Sequence, residues 1–335
     1  MTQAPGPIRW GIVGTANIAR AQFLPGLREA GGGRAVLVAS RDRARAAAYA
    51  ADHGIDNGIA DYAALVESPE VDAVYVALPN ALHAEWTIRA LRAGKAVLCE
   101  KPLTTSAAQT RDVLEVAAVA ARPLWEAFVF PFQAQHQRLV RLIKDGAVGA
   151  PAELYSAFHF LLSNPANIRL DAALGGGALA DVGCYPVRLA LELFGADQEP
   201  RAQACTGTVE GQVETDAAGI VTAGTGRLLL SCGFRRSYDT FSSVLGSAGQ
   251  IQLTNPFHPR PSDTLTILRP GDDPVVERPT TDERSFTAAI RHIHAVLRGE
   301  TAAEHTADEY SLPAARVLEQ LQRLVRTAAG EGRQR

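Results

Sequence analysis

The sequence predicts an α/β protein: a doubly wound parallel sheet first, then an α+β domain with a large, mostly antiparallel open sheet. Three observations carry this. From Ile8 to about Arg122 short apolar runs alternate with helical patterns, as the strands and crossover helices of a parallel sheet do. The first run, Ile8–Val13, breaks at Gly14 and opens into a helical stretch. From Glu153 onward strand-like runs follow one another without regular helices between them. The texture changes after Pro123, so the expected domains are 1–123 and 124–335.

Composition narrows the classes. A chain of 335 residues can bury a large core, and 47% hydrophobic with 21% charged residues is ordinary for a globular protein. The net charge is -3 and no basic block appears, so no nucleic-acid partner is expected. No apolar run is long enough to span a membrane. Met1–Pro7 has neither the charge nor the apolar run of a signal peptide, so the expected compartment is the cytoplasm. Cys99, Cys184, Cys205 and Cys232 lie far apart, match no zinc or redox spacing and read as reduced core residues. No metal-ligand set is visible, so no metal is expected.

The first strand ends in Gly14-Thr15-Ala16-Asn17-Ile18-Ala19, with a helical run following through Leu27. Gly14, Ala16 and Ala19 occupy the three positions of the dinucleotide fingerprint. The first needs a tight turn, the second close approach to a pyrophosphate, and the third close helix–strand packing. Gly14, Thr15, Ala16, Asn17 and Ile18 are therefore candidate cofactor-binding residues at a helix N-terminus suited to anions.

The second strand, Ala35–Ala39, runs into Ser40-Arg41-Asp42, with Arg45 one turn beyond Arg41. An NAD site usually places an acid here for the ribose 2′-hydroxyl. A hydroxyl and two guanidinium groups suit a 2′-phosphate, so Ser40, Arg41 and Arg45 point to NADP(H). Asp42 reads equally as the cap of the next helix.

A third run, Val71–Ala77, ends in Leu78-Pro79-Asn80-Ala81-Leu82-His83, before a helix over 84–93. Leu78, Pro79, Asn80 and His83 would lie near the nicotinamide end of a bound cofactor. A packed or helix-capping histidine is an equally good reading of His83. Ala96–Cys99 is too short for a helix and reads as a buried strand, ending in Glu100-Lys101-Pro102. Lys101 precedes a proline, which holds it extended at the carboxyl end of the sheet, where such sheets bind ligands.

In the second domain, apolar Leu124–Phe130 precedes a helix near 135–144. Strands are expected at 154–162, 202–209, 219–223, 227–234, 242–245, 251–253 and 265–268. Helices are expected near 285–297 and 307–328. Asn167-Ile168-Arg169 precedes Gly175-Gly176-Gly177, and helical periodicity follows from Ala178 to Leu193. Asp181 and Tyr185 are four apart and so share a helix face. A carboxylate and a phenol so placed fit either a structural pair or a reactive one.

Taken in order, the fingerprint, Pro79-Asn80-x-x-His83, Glu100-Lys101-Pro102 and Gly175-Gly176-Gly177-x-x-x-Asp181-x-Gly183-x-Tyr185 resemble the glucose-fructose oxidoreductase / inositol dehydrogenase (Gfo/Idh/MocA) family, across nearly the whole chain. The resemblance implies an N-terminal Rossmann domain, and a C-terminal sheet that often serves oligomerisation. The expected assembly is a homodimer or homotetramer. It implies Lys101 as the catalytic lysine, Glu100 at the cofactor ribose, Asp181 placing the substrate, and Arg169 touching cofactor or substrate. Tyrosine at 185, where many members have histidine, is similar to the branch with nucleotide-sugar 3-ketoreductases and dihydrodiol dehydrogenases. Asn167 and Phe128, the latter in Glu126-Ala127-Phe128, fit that branch as substrate contacts. Pro131 and Gln133 depart from its common arginine and histidine.

Reducing a ketone needs a hydride on carbon and a proton on oxygen. A bound NADPH would supply the first and the protein the second. Lys101 would favour the phenolate of Tyr185 and polarise the carbonyl oxygen. The expected reaction is reduction of a sugar or nucleotide-linked (dTDP) keto-sugar, C3 favoured. The alternatives are a trans-dihydrodiol or aldose dehydrogenase, and a dinucleotide-binding redox sensor. Retention of both Lys101 and Tyr185 argues against the sensor, which would need only the fingerprint.

Overall fold

The computed structural model describes residues 6–196, 199–279 and 281–332. They form two compact units. One comprises the chain up to Thr104 with Ala108–Val129 and Glu283–Asp308, the other Thr105–Ala107 with Phe130–Asp282 and the chain from Glu309.

The first unit is built on β1 (Ile8–Val13), α1 (Leu24–Ala30), β2 (Gly33–Ala39), α2 (Arg43–His53), β3 (Asn57–Ile59) and α3 (Tyr62–Glu67). After these come β4 (Ala73–Val76), α4 (His83–Arg92), β5 (Ala96–Cys99), α5 (Ala107–Ala120) and β6 (Leu124–Glu126). The six strands run parallel in the order β3-β2-β1-β4-β5-β6. Chain order reverses between β1 and β4, the switch point where such sheets bind dinucleotides. β4 and β5 are buried throughout, which explains why they read as unbroken apolar runs rather than alternating ones.

The predicted helix from Thr15 to Leu27 divides in the structure. A π-type turn spans Ala19–Phe23, and the regular helix begins at Leu24, with Pro25 in its first turn where no backbone donor is needed. Phe23 stacks on Tyr75 of β4, ring centroids 4.1 Å apart, and meets Trp10 of β1 edge-on at 5.3 Å. The helix Ser285–Leu297 also belongs to this unit. Gly26 is pressed so closely to Phe286 that a Cβ would lie 2.8 Å from that side chain. His294 accepts from Trp10 Nε1 at 2.9 Å, which makes its Nδ1 the donor to Gly31 O, also at 2.9 Å.

The second unit holds α6 (Ala134–Lys144), β7 (Pro151–Leu161), α7 (Cys184–Phe194), β8 (Arg201–Glu210), β9 (Val213–Ala223) and β10 (Gly226–Gly233). It continues with β11 (Arg235–Gly246), β12 (Gly249–Thr254), β13 (Leu265–Leu268), β14 (Val275–Glu277) and the helix Ala307–Gly332, of which Ala307 and Asp308 fall in the first unit's segments. The eight strands order as β14-β13-β12-β11-β7-β10-β9-β8, antiparallel except for the β7–β10 pair. α6 and α7 are tied by a buried charge network. His136 Nε2 lies 2.7 Å from Glu192, Arg188 donates to the same carboxylate at 3.1 Å, and the guanidinium stacks 3.6 Å from the Tyr310 ring centroid. Removing Glu192 would break the buried ion pair and leave the Arg188 charge buried, at a cost of roughly 3–5 kcal/mol.

Among the described residues no helix is long and apolar enough to cross a membrane, and no group of three or more His, Cys, Asp or Glu could hold a metal ion. The four cysteines are free and buried.

Candidate active site

Most of the predicted site residues lie in the first unit, and Asn167, Arg169, Asp181 and Tyr185 lie in the second. In the first, β1 delivers the turn at Gly14, whose φ is 104°. A Cβ there would sit 2.5 Å from the Ala77 carbonyl oxygen, so only glycine lets the turn pass the end of β4. Thr15, Ala16 and Ile18 are partly exposed and Asn17 is exposed beyond it, while Ala19 is fully buried at the third fingerprint position. Tyr49 of α2 donates to Ala16 O at 3.4 Å. Burial pushes its phenol up to about 12, against the pull of Arg20.

At the end of β2, Ser40 is buried and its Oγ accepts weakly from Asp42 N at 3.4 Å. Asp42 caps α2, accepting from Arg45 N at 2.8 Å. The sequence left Asp42 open between cap and ribose ligand, and the structure puts it at the cap. Arg41 and Arg45 are exposed at the start of that helix. A hydroxyl and two guanidinium groups around a capped helix start form a donor set that fits a phosphate.

The β4 and β5 ends are joined beneath the surface. The phenol of Tyr75 donates to Glu100 Oε1 at 2.6 Å, and burial with the Glu100 charge pushes that phenol well above its ordinary range. His83, the first residue of α4, is fully buried, with Nδ1 2.8 Å from Pro102 O and Nε2 2.8 Å from Leu78 O. It therefore ties the loop of Leu78, Pro79 and Asn80 to the backbone just after Lys101. Burial lowers its pKa most. The two carbonyls oppose this, and the positive charge of Lys101 adds to the lowering. Glu100 and Lys101 are partly exposed. Behind them, Glu126 accepts from Leu103 N at 2.8 Å, and Phe128 is buried.

In the second unit, Asn167 caps a short turn by accepting from Arg169 N at 3.0 Å, and Arg169 donates from Nε to Asp181 at 2.6 Å. Its guanidinium also lies 5.7 Å from the Phe160 ring centroid. Gly176 packs against the Arg169 backbone, where a Cβ would fall 2.4 Å from the carbonyl oxygen. Leu179–Gly183 forms a second π-type turn that leads into α7. Such turns are frequent at functional sites because they re-aim the side chains they carry. Tyr185 is buried in an aromatic nest, its ring 5.3 Å from Phe158, 5.1 Å from Phe257 and 5.5 Å from His258. Phe158, Phe257 and His258 escaped the sequence reading, as did Tyr75. None belongs to a motif, and only strand pairing and loop return bring them to their partners.

The family profile described as "Oxidoreductase family, NAD-binding Rossmann fold" matches residues 8–128, and the GFO/IDH/MocA C-terminal domain matches residues 136–252. The chain is 36% identical over 329 residues to a dTDP-3,4-didehydro-2,6-dideoxy-alpha-D-glucose 3-reductase of Streptomyces violaceoruber, covering 95% of this chain and 94% of that one. A crystal structure of a 3-ketoreductase from Actinomadura kijaniata with NADP and TDP-benzene superposes with a TM-score of 0.83 at 31% identity, over 96% of this chain and 98% of that one. An aldose–aldose oxidoreductase from Caulobacter crescentus, complexed with glycerol, superposes with a TM-score of 0.86 at 25% identity and the same coverage. With both domain profiles matched and the relatives aligned nearly end to end, the chain belongs to the Gfo/Idh/MocA family of oxidoreductases.

Proposed function

We propose that this protein is an NADPH-dependent reductase of a nucleotide-linked (dTDP) keto-sugar, with C3 the favoured position. The observation that carries the reading is a lysine at the end of β5 together with an Asp181–Tyr185 helix, in a chain aligned over 95% of its length with a dTDP-keto-sugar 3-reductase. Ser40, Arg41 and Arg45 bind the 2′-phosphate. Gly14 to Ile18 receive the pyrophosphate. Leu78, Pro79, Asn80 and Glu100 flank the ribose and nicotinamide.

When bound, NADPH supplies the hydride to the carbonyl carbon. The protein's part is the oxygen. The Lys101 ammonium stabilises negative charge as it develops there, and Tyr185 delivers the proton; such general acid catalysis gives roughly 10²–10⁴-fold. Asp181, oriented by Arg169, accepts from a sugar hydroxyl and fixes which carbon faces the cofactor. Asn167 and Phe128 complete the substrate contacts. The assembly is a homodimer or homotetramer through the open sheet, and four buried free cysteines support a reducing, cytoplasmic setting.

A second reading is oxidation of an aldose or a trans-dihydrodiol by the same groups; its aldose form is favoured by the superposition on the aldose–aldose oxidoreductase, and its dihydrodiol form by 28% identity over 249 residues to a trans-1,2-dihydrobenzene-1,2-diol dehydrogenase of Xenopus laevis. One panel separates them. The purified protein is given NADPH with dTDP-linked and free keto-sugars, and NADP with aldoses and trans-dihydrodiols, following NADPH absorbance. Turnover of a dTDP-keto-sugar at least tenfold more efficient than of any free sugar is expected. Turnover confined to free aldoses or dihydrodiols would replace the proposal with the second reading.

A further inference from the structure

Arg260 has no part in the chemistry above, yet the loop that carries it, between β12 and β13, packs against Tyr185. Phe257 and His258 stand in that loop and meet the Tyr185 ring at 5.1 and 5.5 Å. Two residues on, Arg260 places its guanidinium 5.8 Å from the ring centroid of Tyr238 on β11. That ring meets Phe158 at 6.1 Å, and Phe158 meets Tyr185 at 5.3 Å. Tyr185, Phe158, Tyr238 and Arg260 thus form one strip, which runs from a buried phenol outward. Tyr238 is 50% exposed and Arg260 is exposed.

The loop is held in a fixed shape by hydrogen bonds. Asp263 accepts from Arg260 N at 2.7 Å and from Asn255 Nδ2 at 3.0 Å. The same Asn255 amide donates to His258 O, and its Oδ1 accepts from the Tyr238 phenol at 2.8 Å. Asn255 has φ 48°, a left-handed conformation that asparagine adopts more readily than most residues. Arg260 is therefore anchored through its backbone rather than its side chain. Among the described residues its guanidinium makes no hydrogen bond and no ion pair. Arg169 offers the contrast. It lies 5.7 Å from Phe160, on the side of β7 that Phe158 shares, but its charge is committed to Asp181 at 2.6 Å. A single unpaired surface arginine is ordinary. One mounted on an exposed ring, two residues from the His258 that touches Tyr185, is a positioned cation whose charge is unclaimed.

We propose that Arg260, on its Tyr238 platform, binds the diphosphate of a nucleotide-linked sugar and so selects such substrates over free sugars. The inference rests on the reading of the substrate as a keto-sugar nucleotide. With C3 as the carbon reduced, only two ring bonds and the anomeric oxygen separate it from the nearer phosphorus. A sugar held at Tyr185 thus carries its diphosphate beside the aromatic nest, where the strip ends in a cation. A diphosphate is matched by the donor fork of a guanidinium, which a free sugar has no charge to engage.

The test titrates NADP, and then dTDP onto the NADP-loaded protein, using the full-length parent, Arg260→Ala and Arg260→Lys. Arg260→Ala removes the guanidinium and keeps the backbone donor to Asp263. It should weaken dTDP binding about tenfold or more, the loss of one charge-assisted hydrogen bond, and leave the NADP dissociation constant unchanged. Arg260→Lys should recover part of the loss, since the charge returns without the fork. With a dTDP-keto-sugar as substrate, Arg260→Ala should raise KM by a similar factor. A parent that binds dTDP, with Arg260→Ala binding it within twofold as well, would overturn the inference and leave the reading of the substrate standing. An equal loss of NADP affinity would also overturn it, by moving Arg260 to the cofactor. A parent that binds no dTDP and turns over only free sugars would sink the nucleotide-linked reading, and the inference with it.

Discussion

The phenol of Tyr75, buried in the middle of β4, donates to Glu100 Oε1 at 2.6 Å, so the acid at the end of β5 is held from below by the neighbouring strand. Tyr75→Phe keeps the stacking on Phe23 and deletes only that donor. A hydrogen bond to a charged group contributes roughly 1.5–3 kcal/mol. The variant should therefore unfold at lower denaturant and bind NADPH severalfold more weakly, because Glu100 loses the Tyr75 donor that helps to orient it. Unchanged NADPH affinity by fluorescence titration would show that Glu100 does not meet the cofactor.

The contrast between Glu100 and Tyr75 shows what was legible in the chain. Glu100 stands in a tripeptide at the end of an apolar run, and local pattern suffices to place it. Tyr75 reaches it only because Tyr75 pairs with Leu98 across β4 and β5, a register that no single segment encodes. β3 was missed for a related reason. Asn57-Gly58-Ile59 has no apolar run, and Gly58 is there because a Cβ would lie 2.2 Å from Ala46 O. β11 begins seven residues before the predicted strand at Ser242, through a largely exposed stretch in which Arg235, Asp239, Thr240 and Phe241 pair with β7. The periodicity of Ser285–Leu297 marks a helix, but not that its apolar stripe covers Trp10 and Phe23.

Cofactor choice has a direct test at the end of β2. Arg41 is exposed, Ser40 lies beside it, and Asp42 is engaged at the helix cap. Arg41→Ala should raise the NADPH dissociation constant at least tenfold and that for NADH less than threefold, since only NADPH carries the 2′-phosphate. Equal losses would remove the assignment of this corner to the phosphate.

His294 makes the first unit sensitive to acid. It is buried between Trp10 and Gly31, and burial, reinforced by Arg298, lowers its pKa from 6.5 to about 4. Because the folded form binds the proton less readily than the unfolded chain, this contribution is fully present above about pH 6.5. It is lost as the pH falls toward 4. The difference corresponds to up to about 3 kcal/mol. His294→Gln should be less stable at pH 7 yet lose less on going to pH 4.5 than the parent does. Equal losses on acidification, by urea denaturation at both pH values, would exclude His294 as the group responsible.

The open sheet of the second unit predicts self-association. Tyr155, 37% exposed, and Phe241, 42% exposed, point to the same side, since Phe241 pairs with Ala157 and Ser243 with Tyr155. Exposed aromatic residues grouped on one sheet face mark an interaction surface. Light scattering at micromolar concentration should give a dimer or tetramer, and Phe241→Asp should shift it toward monomer. A monomeric parent would end the proposal.

The last prediction concerns Lys101 and Tyr185, which we propose act as one unit on the substrate oxygen. Lys101 follows β5, and its backbone is anchored by His83 through Pro102 O. Tyr185 is held by Phe158, Phe257 and His258, so neither residue is left to find its own position. A phenol delivers a proton readily only if the resulting negative charge is stabilised, and an ammonium supplies that stabilisation. Removing either group therefore disables the same step, and their effects should not add. Lys101→Ala and Tyr185→Phe should each lower kcat by about 10²–10⁴-fold. The double variant should be little worse than the poorer single one. Each should keep NADPH binding within a few-fold, which separates lost chemistry from lost folding. Near-parental turnover in Tyr185→Phe would pass the proton to Lys101 or to water. Strictly additive losses would divide the roles, with Lys101 polarising the carbonyl and Tyr185 only orienting the sugar.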